Sequence, residues 1–205
     1  MDIDSGEGQE IVEPDEEAIR DCLSENAPLR IDPEGYKIAA VLMPLLYGKK
    51  GWDVLLTKRT EHLKHHKGEI SFPGGHKEPG DPHLMFTALR ETEEEVGIPP
   101  QKVKVLGRLD DITTITGFRV RPYVGVVENP VQLCADPEEI DEILIFPLRE
   151  FMDKKRLTVH IHDIGGSLYD IYFFKFPDHV VWGATARIIV RFMEKCAGYE
   201  LPAST

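Results

Sequence analysis

Between Phe72 and Ile98 the chain reads FPGGHKEPGDPHLMFTALRETEEEVGI, and no other stretch restricts its folding as tightly. Four glutamates, Glu91 and Glu93 to Glu95, fall within five positions of a segment with helical spacing, just after a turn holding two adjacent glycines. Asp81 and Pro82 read as the helix start, the carboxylate capping exposed amides and the proline suiting the first helical position. Gly97 reads as the stop. Met85, Leu89, Thr92 and Val96 recur at helical spacing and form one face, apolar except for the threonine. Glu91, Glu94 and Glu95 then share a different face, and Glu93 points to water.

Like charges three and four residues apart oppose helix formation by about 0.2–0.5 kcal/mol per pair. Arg90 can offset one such charge; a divalent cation can offset all three. Hard carboxylate oxygens suit Mg²⁺ or Mn²⁺, and Mg²⁺ binds through one or two carboxylates together with substrate phosphates. A Glu-rich helix is ordinarily a solvated face. Gly74 and Gly75 change that reading, because glycine permits backbone approaches closed to other residues. A turn whose amides and carbonyls face a metal-loaded helix can cradle a pyrophosphate.

Around this segment the chain alternates strand-like runs with short breaks. KIAAVLMPLLY and WDVLLTKR, separated by GKKG, read as two strands joined by a turn. KVKVLGRLDDI, FRVRPYVGVV, EILIFPL, LTVHIHDI and LYDIYFFKF follow with strand content, and LREFMDKKR reads as a short helix. In GATARIIVRFMEKC, the residues Ile188, Ile189, Phe192 and Met193 share a helical face of core type. Many strands, a central helix and a terminal helix indicate an α+β fold, an α/β/α sandwich around a mixed sheet.

The net charge of −12 belongs mostly to one end: residues 1–25 hold ten acids against Arg20. This segment reads as a solvated extension, disordered over residues 1–13, with Pro14 opening a short helix. The organisation expected is an acidic segment over 1–30, a catalytic domain over 36–197 and a tail over 198–205. No basic surplus attracts nucleic acid or an anionic membrane, no apolar run approaches 18 residues, and the first residues do not form a secretory signal. Cys22, Cys134 and Cys196 are odd in number and far apart. They read as reduced thiols of a cytoplasmic protein.

The segment GHKEPGDPHLMFTALRETEEEVGI resembles the signature box of the Nudix hydrolases, with Gly75, Asp81, Arg90, Glu91, Glu94, Glu95, Gly97 and Ile98 in its defining places. The spacer between Asp81 and Arg90 is one residue longer than the general pattern, and Asp81 replaces the commoner glutamate. Both departures are similar to the coenzyme A pyrophosphatase branch. So is LLTKRTEHLKHHKGEISFPGG just upstream, where Thr60 stands for a small residue and Lys64 for arginine. Lys64 keeps the charge but loses the bidentate fork. TITGFRVRPYVGVV and VWGATARII also look like this branch.

The resemblance implies a Nudix fold and Mg²⁺- or Mn²⁺-dependent hydrolysis of a small nucleotide substrate. For this branch that is coenzyme A or its acyl and oxidised derivatives, cut to 3′-phospho-AMP and 4′-phosphopantetheine. Glu91, Glu95, Glu94 and the Gly75 carbonyl are the candidate metal ligands; Glu94, Glu95 and Arg90 are the candidate catalytic groups, Arg90 as an orienter. Arg59, Lys64, Lys67 and Gly74 are the candidate substrate contacts, and Glu139 and Glu142 the candidate additional acids. His62, His65 and His66 read as solvated or phosphate-contacting, His160 and His162 as structural or exposed. Two alternatives stand beside this reading: a Nudix hydrolase of another substrate such as ADP-ribose or a dinucleotide, and a non-catalytic Nudix ligand-sensing module. Retention of Glu91, Glu94 and Glu95 argues against the latter.

Overall fold

Two long strands build the centre. In the computed structural model, which describes residues 13–25, 27–31, 34–63, 66–164 and 166–201, β1 (Lys37–Gly48) and β2 (Gly51–Arg59) form a hairpin that closes with Gly48 opposite Gly51. The short strands β3 (Ile70–Ser71) and β4 (Gly74–His76) precede the helix α2 (Leu84–Val96). Then come β5 (Val103–Arg108), β6 (Ile112–Thr113), β7 (Phe118–Val127) and β8 (Ile140–Pro147). The main sheet runs β3-β2-β1-β7-β5, with β4 on β1, β6 on β7 and β8 on β2. β1 and β7 are parallel and the other pairs antiparallel, so the sheet is mixed. The chain continues through α3 (Leu148–Met152), β9 (Leu157–Ile164), β10 (Ser167–Lys175), β11 (Val180–Trp182) and α4 (Gly183–Cys196). The last three strands make a separate antiparallel sheet.

The period of two along a strand sorts the core into layers. From β1, Ala39, Met43 and Leu45 join a cluster with Val54 and Leu56 of β2 and with Ile188, Ile189, Phe192 and Met193 of α4. Ala40 and Leu42 face the other way, against Leu84 and Ala88 of α2. The sheet therefore lies between α2 on one side and a helical layer on the other, the expected sandwich. The four α4 residues are the ones its sequence periodicity selects, and His160 and His162 are exposed.

The acidic end departs from expectation. From Glu13 onward it is docked, not a solvated extension; the expectation of disorder for 1–12 falls outside the described residues. Helix α1 (Glu16–Glu25) buries Ile19 and Leu23 in the α4 side of the core, worth about 1.5–3 kcal/mol each. It starts two residues after Pro14, with the Asp15 carboxylate accepting from the Ala18 amide at 2.8 Å. The Pro14 carbonyl is engaged elsewhere, accepting from the Trp52 indole at 2.8 Å. Glu13 accepts from the amides of Trp52 and Arg149, at 2.6 and 3.1 Å. Composition registers the acids on the outer face of α1; the two large aliphatics on its inner face decide where it sits.

A second correction concerns the thiols. Cys22 on α1 and Cys196 at the end of α4 form a disulfide, with Cα atoms 5.5 Å apart, and Cys134 is free and exposed. Their separation of 174 residues hides a proximity that only the packing of α1 on α4 creates. Past α4, Tyr199 also belongs to the core cluster.

Candidate active site

Helix α2 begins at Leu84, later than expected. His83 is its cap, Nδ1 accepting from the Phe86 amide at 3.1 Å. Asp81 turns inward instead and is 5% exposed. It accepts from the Glu78 amide at 2.9 Å, the Thr87 hydroxyl at 2.8 Å and Arg90 Nε at 3.2 Å. Burial alone pushes this carboxyl up, but Arg90, the Glu78 amide and Thr87 together outweigh it and hold Asp81 at about 2. Gly97 ends the helix as expected, at φ 74° with its amide on the Glu93 carbonyl.

The buried face runs Leu84, Ala88, Thr92 and Val96, with Thr87 and Glu95 beside it, while Met85 and Leu89 are half-buried. It keeps Thr92 and Val96 of the expected stripe, but in the first two turns Leu84 and Ala88 take the places expected of Met85 and Leu89. The reason is Ala88: a small side chain lets α2 lie close over Ala40 and Leu42, so the nearest line of contact follows the smallest residue. This rotation carries Glu95 into the interior at 4% exposure and leaves Glu91 at its margin. Glu93 is exposed, as expected. Glu94 leaves the common face predicted for it: its side chain is 58% exposed and is tied to Arg90 at 2.8 Å.

Gly74 and Gly75 lie in the short strand β4, paired with Val41 and Ala40 of β1, and not in the expected turn; both are dictated by what lies above and below them. Gly74 has φ 151°, and a Cβ there would collide with the Ala40 carbonyl and Val41 Cα of β1. A Cβ on Gly75 would overlap the Glu91 carboxylate. The glycine strand is therefore pressed between β1 and the acidic edge of α2, and its Gly74 amide donates to Glu95 at 3.2 Å.

Arg90 organises this edge. It contacts Asp81, donates to Glu91 and Glu94 at 2.8 Å each, and reaches the His76 carbonyl at 3.3 Å. These carboxylates, against the opposing effect of burial, raise its already high pKa. Burial pushes Glu91 up in spite of Arg90. It pushes Glu95 to about 8, with Glu91 and Glu139 adding to the rise and Arg59 and the Gly74 amide opposing it. Glu95 is thus buried and Glu91 partly buried, each in contact with one arginine, Arg59 and Arg90 respectively.

Among the described residues no three acidic, histidine or cysteine side chains converge as a ready-made metal cage. Glu91 and Glu95 beside the Gly74–Gly75 backbone nevertheless fit a hard divalent cation, which completes its shell with backbone oxygen, water and phosphate.

The other predicted residues are placed unequally. Arg59 reaches Glu95 at 3.3 Å and Glu139 at 3.2 Å, so the structure brings both Arg59 and Glu139 to the acidic edge. Glu142 lies opposite Lys58 on β2 and is exposed, away from that cluster. Lys67 is exposed, without an ion pair among the described residues; Lys64 and His65 lie outside them. His62 contacts the Glu138 carbonyl at 3.0 Å and His66 contacts Glu69 at 2.8 Å. The loop before β8, from which sequence reading drew only the candidate acid Glu139, also caps α2: the amides of Cys134 and Asp136 donate to the Val96 and Glu95 carbonyls, both at 3.0 Å.

The mixed sheet between helical layers, with a carboxylate-rich helix edge laid on a glycine strand, is an arrangement suited to a pyrophosphatase. The NUDIX domain family matches residues 36–164, and the chain belongs to the Nudix hydrolase family. It is 40% identical over 153 residues to a protein of Photorhabdus laumondii described as an uncharacterized Nudix hydrolase, NudL; the match covers 74% of this chain and 80% of that one. A NudL of Yersinia enterocolitica is 39% identical over 158 residues, covering 77% and 80%. A MutT/nudix family protein of Enterococcus faecalis superposes with a TM-score of 0.52 at 15% identity, over 87% of this chain and 72% of that one, a likeness of fold. The protein is accordingly a hydrolase of small nucleoside diphosphate derivatives, in a family that uses divalent metals. Among the described residues no helix is long and apolar enough to cross a membrane.

Proposed function

We propose that the protein hydrolyses the diphosphate of coenzyme A, or of its acyl and oxidised derivatives, to 3′-phospho-AMP and 4′-phosphopantetheine or its acyl form. The catalytic unit is proposed to span 36–197. The observation that carries this reading is the continuity of Leu55–Gly75, the stretch similar to the coenzyme A branch, with the acidic edge. Its first part supplies Arg59, in contact with Glu95, and its last part is the glycine strand itself. A cytoplasmic location is proposed along with this substrate class.

In this reading Glu91 and Glu95 hold Mg²⁺ or Mn²⁺, with Glu94 adjoining and the Gly75 carbonyl a further ligand. When bound, the metal neutralises the diphosphate, activates water and stabilises the leaving phosphate oxygen. Arg90 keeps Glu91 and Glu94 in fixed rotamers through its 2.8 Å contacts. Glu94 and Glu95 are the carboxylates at hand to accept a proton from the attacking water. The Gly74 amide fixes the Glu95 carboxylate against the glycine strand. Arg59, Lys64 and Lys67 supply cations to the substrate's phosphates, each good contact contributing about 1.5–3 kcal/mol.

The test is incubation with Mg²⁺ and, separately, coenzyme A, dephospho-coenzyme A, ADP-ribose and a dinucleoside polyphosphate, with products identified by mass. Coenzyme A should give the highest kcat/KM and dephospho-coenzyme A a smaller one. Better cleavage of ADP-ribose would overturn the substrate while leaving Nudix chemistry intact. No cleavage of any would favour a sensing module.

A further inference from the structure

Two arginines reach the carboxylates of α2, and they are held in different ways. Arg90 grips several acceptors, with 2.8 Å contacts to both Glu91 and Glu94 and further ones to Asp81 and the His76 carbonyl. Arg59 makes one contact with each of two carboxylates, 3.3 Å to Glu95 and 3.2 Å to Glu139. Charge-assisted N–H···O bonds settle at about 2.7–2.9 Å, so Arg59 is loosely seated. Its Nε is buried without a hydrogen-bond partner among the described residues. The backbone around it is specialised: the β2–β8 register shifts between Lys58 and Arg59, and such bulges re-aim side chains beside active sites. The Thr60 amide holds the Glu139 carbonyl at 2.9 Å, so the same bulge brings Glu139 to Arg59.

We propose that Arg59 is a displaceable counter-cation. It bridges Glu95 and Glu139 and stands in for part of the charge a divalent cation would bring. Metal entry expels it from Glu95, and its freed guanidinium then serves the anionic substrate. Loading the metal and offering an arginine to the diphosphate thereby become one coupled event. The inference rests on the reading of Glu91 and Glu95 as the metal-bearing pair, but not on which diphosphate is cleaved.

The test uses the full chain and Mn²⁺ alone, free Mn²⁺ being followed by its paramagnetic resonance signal without substrate. KM is then measured for whichever of coenzyme A and ADP-ribose the wild type cleaves. In Arg59→Met, loss of a cation beside the site should tighten the Mn²⁺ Kd by roughly tenfold, while KM rises about tenfold or more. Arg59→Lys, a point charge able to hold one carboxylate, should tighten Mn²⁺ binding by a smaller factor, and it carries the test if the methionine variant fails to fold. An arginine that only binds substrate predicts an unchanged Mn²⁺ Kd with raised KM. One that only supports the structure predicts both weakened. Either outcome overturns the proposal, and neither bears on which substrate is hydrolysed.

Discussion

Reducing the Cys22–Cys196 bridge should lower the melting temperature without lowering kcat. The bridge spans 174 residues, so it constrains almost the whole unfolded chain. The chain-entropy relation for a loop of that length gives a ceiling of about 5 kcal/mol, and disulfides in practice deliver about 2–4. Unfolding entropy near 2.1 cal/mol/K per residue, over a chain of 205 residues, turns that into a fall of roughly 5–10 °C. Turnover should hold because α1 and α4 lie across the sheet from α2, in a different packing layer from Glu91 and Glu95. The assay is thermal unfolding with and without a phosphine reductant, in wild type, Cys22→Ser and Cys196→Ser, all in a Cys134→Ser background to prevent exchange. Only the chain with both partners should respond to reductant. A wild-type shift below about 1 °C, or an equal shift in Cys22→Ser, would show that the bridge does not form.

Four further outcomes are expected. Glu91→Gln and Glu95→Gln should each lose about a hundredfold or more in kcat, with weaker Mn²⁺ binding in direct titration, whereas the exposed Glu94→Gln should lose less; near-parental turnover in the first two refutes the metal assignment. Gly75→Ala sets a methyl group on the Glu91 carboxylate, so kcat should fall about tenfold or more while the melting temperature changes little. Asp81 is held at about 2 against an ordinary 3.8, so its stabilising contribution is complete above about pH 4 and lost as pH falls towards 2. Asp81→Asn should flatten that acid limb in denaturant titrations and cost about 1.5–3 kcal/mol at neutral pH. Removing residues 1–12 should leave the melting temperature unchanged, while Glu13→Ala should lower it, because its carboxylate receives the Trp52 and Arg149 amides.

What the sequence disclosed depended on the range of the interaction involved. The limits of β7, β9 and α4 were legible because they follow from local periodicity, whereas α1 and α2 start two residues later than their proline signals indicate. The acidic helix and the glycine segment beside it were legible as a pair, because like charge on a helix demands a remedy and adjacent glycines advertise a close approach. Three features escaped for one shared reason. The rotation of α2 was set by Ala88 against β1, the fate of α1 by Ile19 and Leu23 against α4, and the bridge by Cys22 meeting Cys196. Each is a choice of packing partner far away in the chain, which neither propensity nor spacing encodes.

The rotation matters most for chemistry. The expected register puts Glu91, Glu94 and Glu95 together on one face, whereas the structure shields them unequally. Packing α2 on Leu84 and Ala88 buries Glu95, half-shields Glu91 and leaves Glu94 outside with Arg90. Burial is what pushes Glu95 to about 8 and Glu91 upward, and so what makes an entering cation favourable. Ala88→Leu should therefore act at a distance. Forcing α2 away from Ala40 and Leu42 costs about 1–3 kcal/mol of stability as an overpacked contact. It should also wet Glu95 and weaken Mn²⁺ binding. Unchanged Mn²⁺ affinity in a destabilised Ala88→Leu would show that the acidic edge does not owe its affinity to this packing.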